Sequence, residues 1–136
     1  MFASGNFGHD CNNRHTLMNP DTAITIAGIL AIFAGVGHGY MGDKELAQQT
    51  IEPASLKPFM RCCYQFGTVG WLVGGVLFLL TPTYFNGQER MMLVYVLIPM
   101  YLFAAVVNAW FTRLRHIGWV MLMAVVIFAL IGCRHF

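Results

Sequence analysis

His38 and His116, with the carboxylates of Asp43 and Glu45, are the side chains of this chain best suited to hold a ligand. Imidazole is the commonest metal ligand and titrates near neutrality, so a histidine pair can bind a metal, ligate haem or pass protons. Asp43 and Glu45 add oxygen donors, completing the mixed N and O set that divalent metals accept. His38, His116 and Glu45 are the metal candidates, although the spacing His-x4-Asp-x-Glu matches no established metal motif. Haem would further require two axial ligands at matched depth on facing helices. Each residue also has a plainer use. His38 suits an interhelical hydrogen bond, His116 an interfacial position beside Arg115, and the two carboxylates suit ion pairs with Arg61 or Arg113.

The remaining chemistry is thinner. Cys62 and Cys63 are adjacent and read as small apolar packing in a reducing compartment. Cys11 and Cys133 can join the two tails in a disulfide, with His9, His15 and His135 near them, and no cysteine pair has zinc-type spacing. The nine methionines are scattered without a repeated array, as core filling requires. No nucleophile–base pair is legible, which argues against an enzyme.

These residues must be positioned by apolar helices. Four apolar runs, about 22–40, 59–80, 91–111 and 117–131, occupy most of the 136 residues. Crossing a hydrocarbon core of ~30 Å takes roughly 20 apolar residues, with a range of about 17–25. The runs therefore predict an all-α integral membrane protein, four transmembrane helices in an up-down antiparallel bundle. Residues 1–20 read as a polar external tail and 21–136 as the transmembrane domain. The chain is 57% hydrophobic and 10% charged, against about 25% charged in a soluble domain. Its partners are then the lipid bilayer and other membrane helices, in a homo-oligomer or larger complex. The net charge of +2 is too small to suggest nucleic acid. The N-terminal stretch lacks the apolar core of a cleavable signal.

Lys44, Lys57, Arg61, Arg113 and Arg115 fall in the first and third loops, against Arg14, Arg90 and Arg134 on the other side. The positive-inside rule puts those loops in the cytoplasm of a bacterial inner membrane and both termini outside. Asn19-Pro20 marks a helix start. Gly39-Tyr40-Met41-Gly42 reads as the end of the first span, followed by a long loop, 43–58, whose first half suits a short interfacial helix. Thr81-Pro82 and Asn86-Gly87 mark an external turn, Pro99 should kink the third span, and 112–115 is a tight reversal.

Small residues form packing faces: Ala27, Ala31, Ala34 and Gly35 with His38 on the first span, and Cys63, Gly67, Gly70 and Gly74 on the second. Asn108 shares a face with Tyr101, Ala104 and Ala105. Residues 33–40 also echo 103–110, with His38 opposite Asn108, as a duplicated helix pair would. This topology gathers His38, Asp43, Glu45, Arg61, Gln65, Asn108, Arg115 and His116 at one membrane face as a ligand-binding set. The opposite end is expected to be poor in ionisable groups.

Three stretches carry a resemblance. Gly37-His38-Gly39-Tyr40-Met41-Gly42-Asp43 resembles the "GHSxLGE" end of the first helix in an uncharacterised family of small bacterial four-helix inner-membrane proteins. Arg61-Cys62-Cys63-Tyr64-Gln65-Phe66-Gly67-Thr68 is similar to that family's "RFAWHLTS", and Arg115-His116-Ile117-Gly118-Trp119 to its "HPGW". Gln65 stands where the family has His, and Asp43 where it has Glu. The resemblance implies the same four-helix fold and a special polar face, and it supplies no reaction. The expected function is a non-enzymatic helical-bundle protein, an accessory subunit or a self-associating one. Two alternatives stand beside it: a metal-, haem- or small-ligand-binding protein using His38 and His116, and a small oligomeric transporter or channel.

Overall fold

The structure is a computed structural model and describes residues 18–133. It is all-helical: α1 (Pro20–Gln48), α2 (Leu56–Tyr84), α3 (Gly87–Phe111) and α4 (Gly118–Cys133), with no strand among the described residues. By length and composition α1, α2 and α3 suffice to cross a membrane, and the sixteen-residue α4 is shorter.

α1 starts where expected. The Asn19 side chain accepts the Asp21 N–H at 2.9 Å, and Pro20 occupies the first turn, where its missing N–H has no intrahelical role. The helix then runs eight residues past the expected stop at Tyr40. Gly39 and Gly42 do not terminate it, because they are contact points: a Cβ on Gly39 would lie 2.8 Å from Thr68 Cγ2, and one on Gly42 would overlap the Tyr64 ring. Tyr40, Met41, Lys44, Glu45 and Leu46 carry helix formation through the two glycines, each of which costs about 1 kcal/mol relative to Ala. The expected interfacial helix is thus the last two turns of α1. Lys57 closes its end, donating from Nζ to the carbonyls of Ala47 at 3.0 Å and Gln49 at 2.9 Å.

α2 likewise runs through Thr81-Pro82 to Tyr84, so only Phe85 and Asn86 separate it from α3. The fully buried Thr81 hydroxyl donates to Leu77 O at 2.7 Å, one turn back, just ahead of the proline. Asn86 donates its N–H to Glu89 Oε2 at 3.2 Å, which anchors the start of α3. Pro99 sits within α3 without interrupting it.

α1 is the hub. Gly28, Gly35, Gly39 and Gly42 fall within about 60° of arc at 100° per residue and meet α2 at Gly75 and Leu79, at Leu72, at Thr68 and at Tyr64 respectively. The adjoining face, Ile24, Ala27, Ala31 and Ala34, is buried in a core with Phe78, Val94, Tyr101, Leu122, Val125 and Ala129. α4 packs along both α1 and α3, whereas α2 and α3 meet at few points. That asymmetry breaks the twofold relation the internal echo suggested. The expected small face of α2 is also redistributed. Gly74 and Gly75 are buried contacts, Gly67 and Gly70 have nearly open surroundings, and Cys62 and Cys63 are exposed rather than packed.

Candidate functional site

The end of the bundle where α1 passes Gly42 and α3 turns into α4 contains a cavity of about 180 Å³. α1 contributes His38, Met41 and Glu45, α2 contributes Tyr64 and Trp71, and Asn108, Thr112, His116, Met121 and Leu122 close the far side.

Packing at Gly42 builds the centre. Only a glycine there leaves room for the Tyr64 ring, and His38 lies one turn earlier on the same face of α1. Tyr64 therefore stacks on His38, with ring centroids 4.0 Å apart and planes 11° from parallel. Trp71 tilts against the same imidazole at 4.3 Å and 38°. His38 is half-buried between the two rings, a contact type that contributes about 0.5–1.5 kcal/mol beyond area burial. Its imidazole also lines an outer groove of about 420 Å³ with Phe59, Met60 and Cys63, so one ring divides an inner cavity from an outer surface.

The other wall is held by a strained reversal. Arg113 and Leu114 both adopt left-handed backbone, at φ 50° and 63°, which costs on the order of 1–2 kcal/mol per non-glycine residue. Compensating bonds run from Leu114 N–H to Ala109 O at 2.9 Å, from Arg115 N–H to Thr112 O at 3.0 Å, and from the Trp119 indole to Leu114 O at 3.3 Å. The turn sets His116 beside Asn108. His116 Nδ1 accepts the Gly118 N–H at 3.0 Å and so caps α4, which leaves Nε2 to carry the proton of the neutral ring. The Thr112 hydroxyl donates to the main-chain carbonyl of Asn108 at 2.7 Å. Asn108 Oδ1 itself is buried with no hydrogen-bond partner.

Of the eight ligand candidates, His38, Glu45, Asn108 and His116 line this cavity. The other four do not. Arg61 Nε lies 2.5 Å from Asp43 Oδ1 and its Nη2 donates to Oδ2 at 2.7 Å, a two-pronged pair of an exposed arginine and a partly buried aspartate bordering a separate groove with Lys57. Gln65 sits beside Gly39 at the α1–α2 contact, and Arg115 is exposed in the turn. No group of three His, Cys, Asp or Glu capable of holding a metal occurs among the described residues. At about 180 Å³ the cavity is smaller than the ~300 Å³ at which drug-sized pockets begin. Of the proposed disulfide, Cys11 lies outside the described residues, and Cys133 is a buried thiol at the end of α4.

The far end of the bundle is not devoid of charge. Arg90 is 4% exposed and donates to Asp21 Oδ1 at 2.7 Å, joining the starts of α1 and α3. Arg90 is a helix residue rather than a loop charge, in a buried stripe with Val94, Leu97, Tyr101 and Ala105. The spacing of four, three, four and four residues was the available signal.

The fold and site define a four-helix protein, rich in exposed apolar surface, with a small cavity of mixed polar and apolar lining at a helix-turn end. Set against known protein families, curated proteins and solved structures, the chain matches none.

Proposed function

We propose that the chain is an integral protein of a bacterial inner membrane, an up-down antiparallel four-helix bundle that acts without catalysis, as an accessory subunit or by self-association. One observation carries this reading: large apolar side chains stand exposed on every helix. Phe33 is 65% exposed, Phe66 81%, Val96 73%, Phe103 71% and Ile127 51%. Water does not tolerate so continuous an apolar surface, and acyl chains do. The α1–α2 contacts, which pair rising numbers on one helix with falling numbers on the other, support the antiparallel order. At 1.5 Å per residue the sixteen residues of α4 reach about 24 Å, and a span that short is accommodated by local thinning of the bilayer. The likeness to small four-helix inner-membrane proteins belongs to the same proposal.

Carbonate extraction of membranes and the mass of the purified particle test this reading. Retention in the pellet and a particle heavier than one chain plus detergent support it. A soluble protein, or a clean monomer without partners, overturns it. Orientation is tested with single-cysteine variants. With the cavity end cytoplasmic and both tails outside, an impermeant maleimide applied to intact cells labels Cys11 and spares Cys62 and Cys63.

A second reading, binding of a small ligand in the cavity, is favoured by one specific feature: the unpartnered Asn108 Oδ1 in its wall. Buried acceptors are nearly always satisfied, so an orphan marks a place where a donor belongs.

A further inference from the structure

The groups around the cavity are unequal in kind. Asn108 presents a buried oxygen with nothing to accept from. Glu45 is exposed, lines the cavity, and joins no ion pair among the described residues. It is also the sole carboxylate of the lining, which contains neither lysine nor arginine. His116 has its Nδ1 occupied by the Gly118 N–H. Ala34, Met41, Met121 and Leu122 give the wall an apolar patch, beside the neutral polar side chains of His38, Tyr64, Trp71 and Thr112. The lining therefore has neutral donors but no cationic one, its formal charge is negative through Glu45, and an apolar patch completes the space. At about 180 Å³ the volume suits a molecule of only a few heavy atoms.

We infer that this cavity is a binding site for a short alkylamine held as its ammonium ion, with N–H bonds to Asn108 Oδ1 and the Glu45 carboxylate and the alkyl end against Met41, Met121 and Leu122. The inference rests on the ligand-binding reading above and names the class of ligand. An ammonium supplies what the wall lacks, a charged donor, and hydrogen bonds to charged groups are the strong ones. An anion would meet the carboxylate of Glu45, and a larger amine would exceed the volume. Binding makes and breaks no covalent bond.

The test uses the full chain in nanodiscs of phosphatidylethanolamine and phosphatidylglycerol, titrated at constant ionic strength with n-propylammonium chloride, sodium propionate or propionamide. The readouts are tryptophan fluorescence and the thermal midpoint. Propylammonium is expected to saturate both signals, with Asn108→Leu and Glu45→Gln each weakening it at least tenfold. Glu45 is exposed, so its variant folds even where the Asn108 variant does not. Saturable binding of propionate or propionamide instead, weakened by Asn108→Leu, keeps a binding site but overturns the amine assignment. Wild-type affinity for propylammonium in both variants also overturns it. Absence of saturation with all three probes overturns the amine assignment and the ligand-binding reading together.

Discussion

The Tyr101 hydroxyl donates to the main-chain carbonyl of Trp71 at 2.7 Å, tying α3 to α2 where the two helices otherwise meet at few points. Trp71 also leans on His38, so this bond connects the core to the cavity wall. Tyr101 is fully buried, and Gly74 leaves the space its hydroxyl needs. Tyr101→Phe is expected to cost about 1 kcal/mol, the net contribution of one neutral hydrogen bond. It should also shift the emission of Trp71. Denaturation in detergent micelles, followed by fluorescence in a background retaining Trp71 alone, measures both; an unchanged midpoint and spectrum would remove the link.

Glycines at two positions should respond oppositely to substitution. A Cβ on Gly75 would stand 2.8 Å from Ile32 Cγ1 and 3.0 Å from Ile32 N, whereas one on Gly37 would meet nothing within 4 Å. Gly75→Leu is expected to destabilise by about 1–3 kcal/mol or more through overpacking. Gly37→Ala is expected to be neutral or to stabilise by up to about 1 kcal/mol, since alanine is the better helix former. Thermal midpoints of the two variants decide the matter.

Arg90 and Asp21 join α3 to α1 with unequal burial, their side chains being 5% and 53% exposed. Water screens the aspartate, so Asp21→Asn should cost about 1–2 kcal/mol, below the 3–5 kcal/mol typical of a fully buried pair. A double-mutant cycle with Arg90→Met is expected to return a coupling of about 1 kcal/mol. A coupling near zero would mean that Arg90 is held by its other contacts.

The cap at His116 separates a structural role from a binding one. His116→Ala removes the acceptor for the Gly118 N–H and should lower stability by about 1 kcal/mol, as lost caps do. His116→Asn, whose side-chain oxygen can accept the same N–H, should recover most of it. Equal losses in both variants would assign the stabilisation to the imidazole itself.

Helix number and type were legible because long apolar runs bounded by turn residues exceed the length of strands and read as helices. Boundaries were not. Gly39, Gly42 and Pro82 are punctuation in a sequence, yet here the glycines are places where α2 lies against α1, and the proline lies in the last turn of α2. Both facts depend on a neighbouring helix, which local rules do not see. The meeting of His38, Glu45, Asn108 and His116 followed from connectivity, since helices linked by a tight reversal must return to the same end. Asp43 and Arg61 left that group because their two-pronged contact was available at once across the α1–α2 seam. Arg90 reads as a loop charge until its spacing with Val94, Leu97, Tyr101 and Ala105 places it on the buried stripe of α3.

The sparse α2–α3 seam has a mechanical consequence. With α1 and α4 as a spine and the Tyr101 hydroxyl and its ring contact with Phe78 opposite, lateral pressure on the molecule would be taken up by splaying along that seam, so the leaves carrying Tyr64 and Asn108 would part before the spine yields.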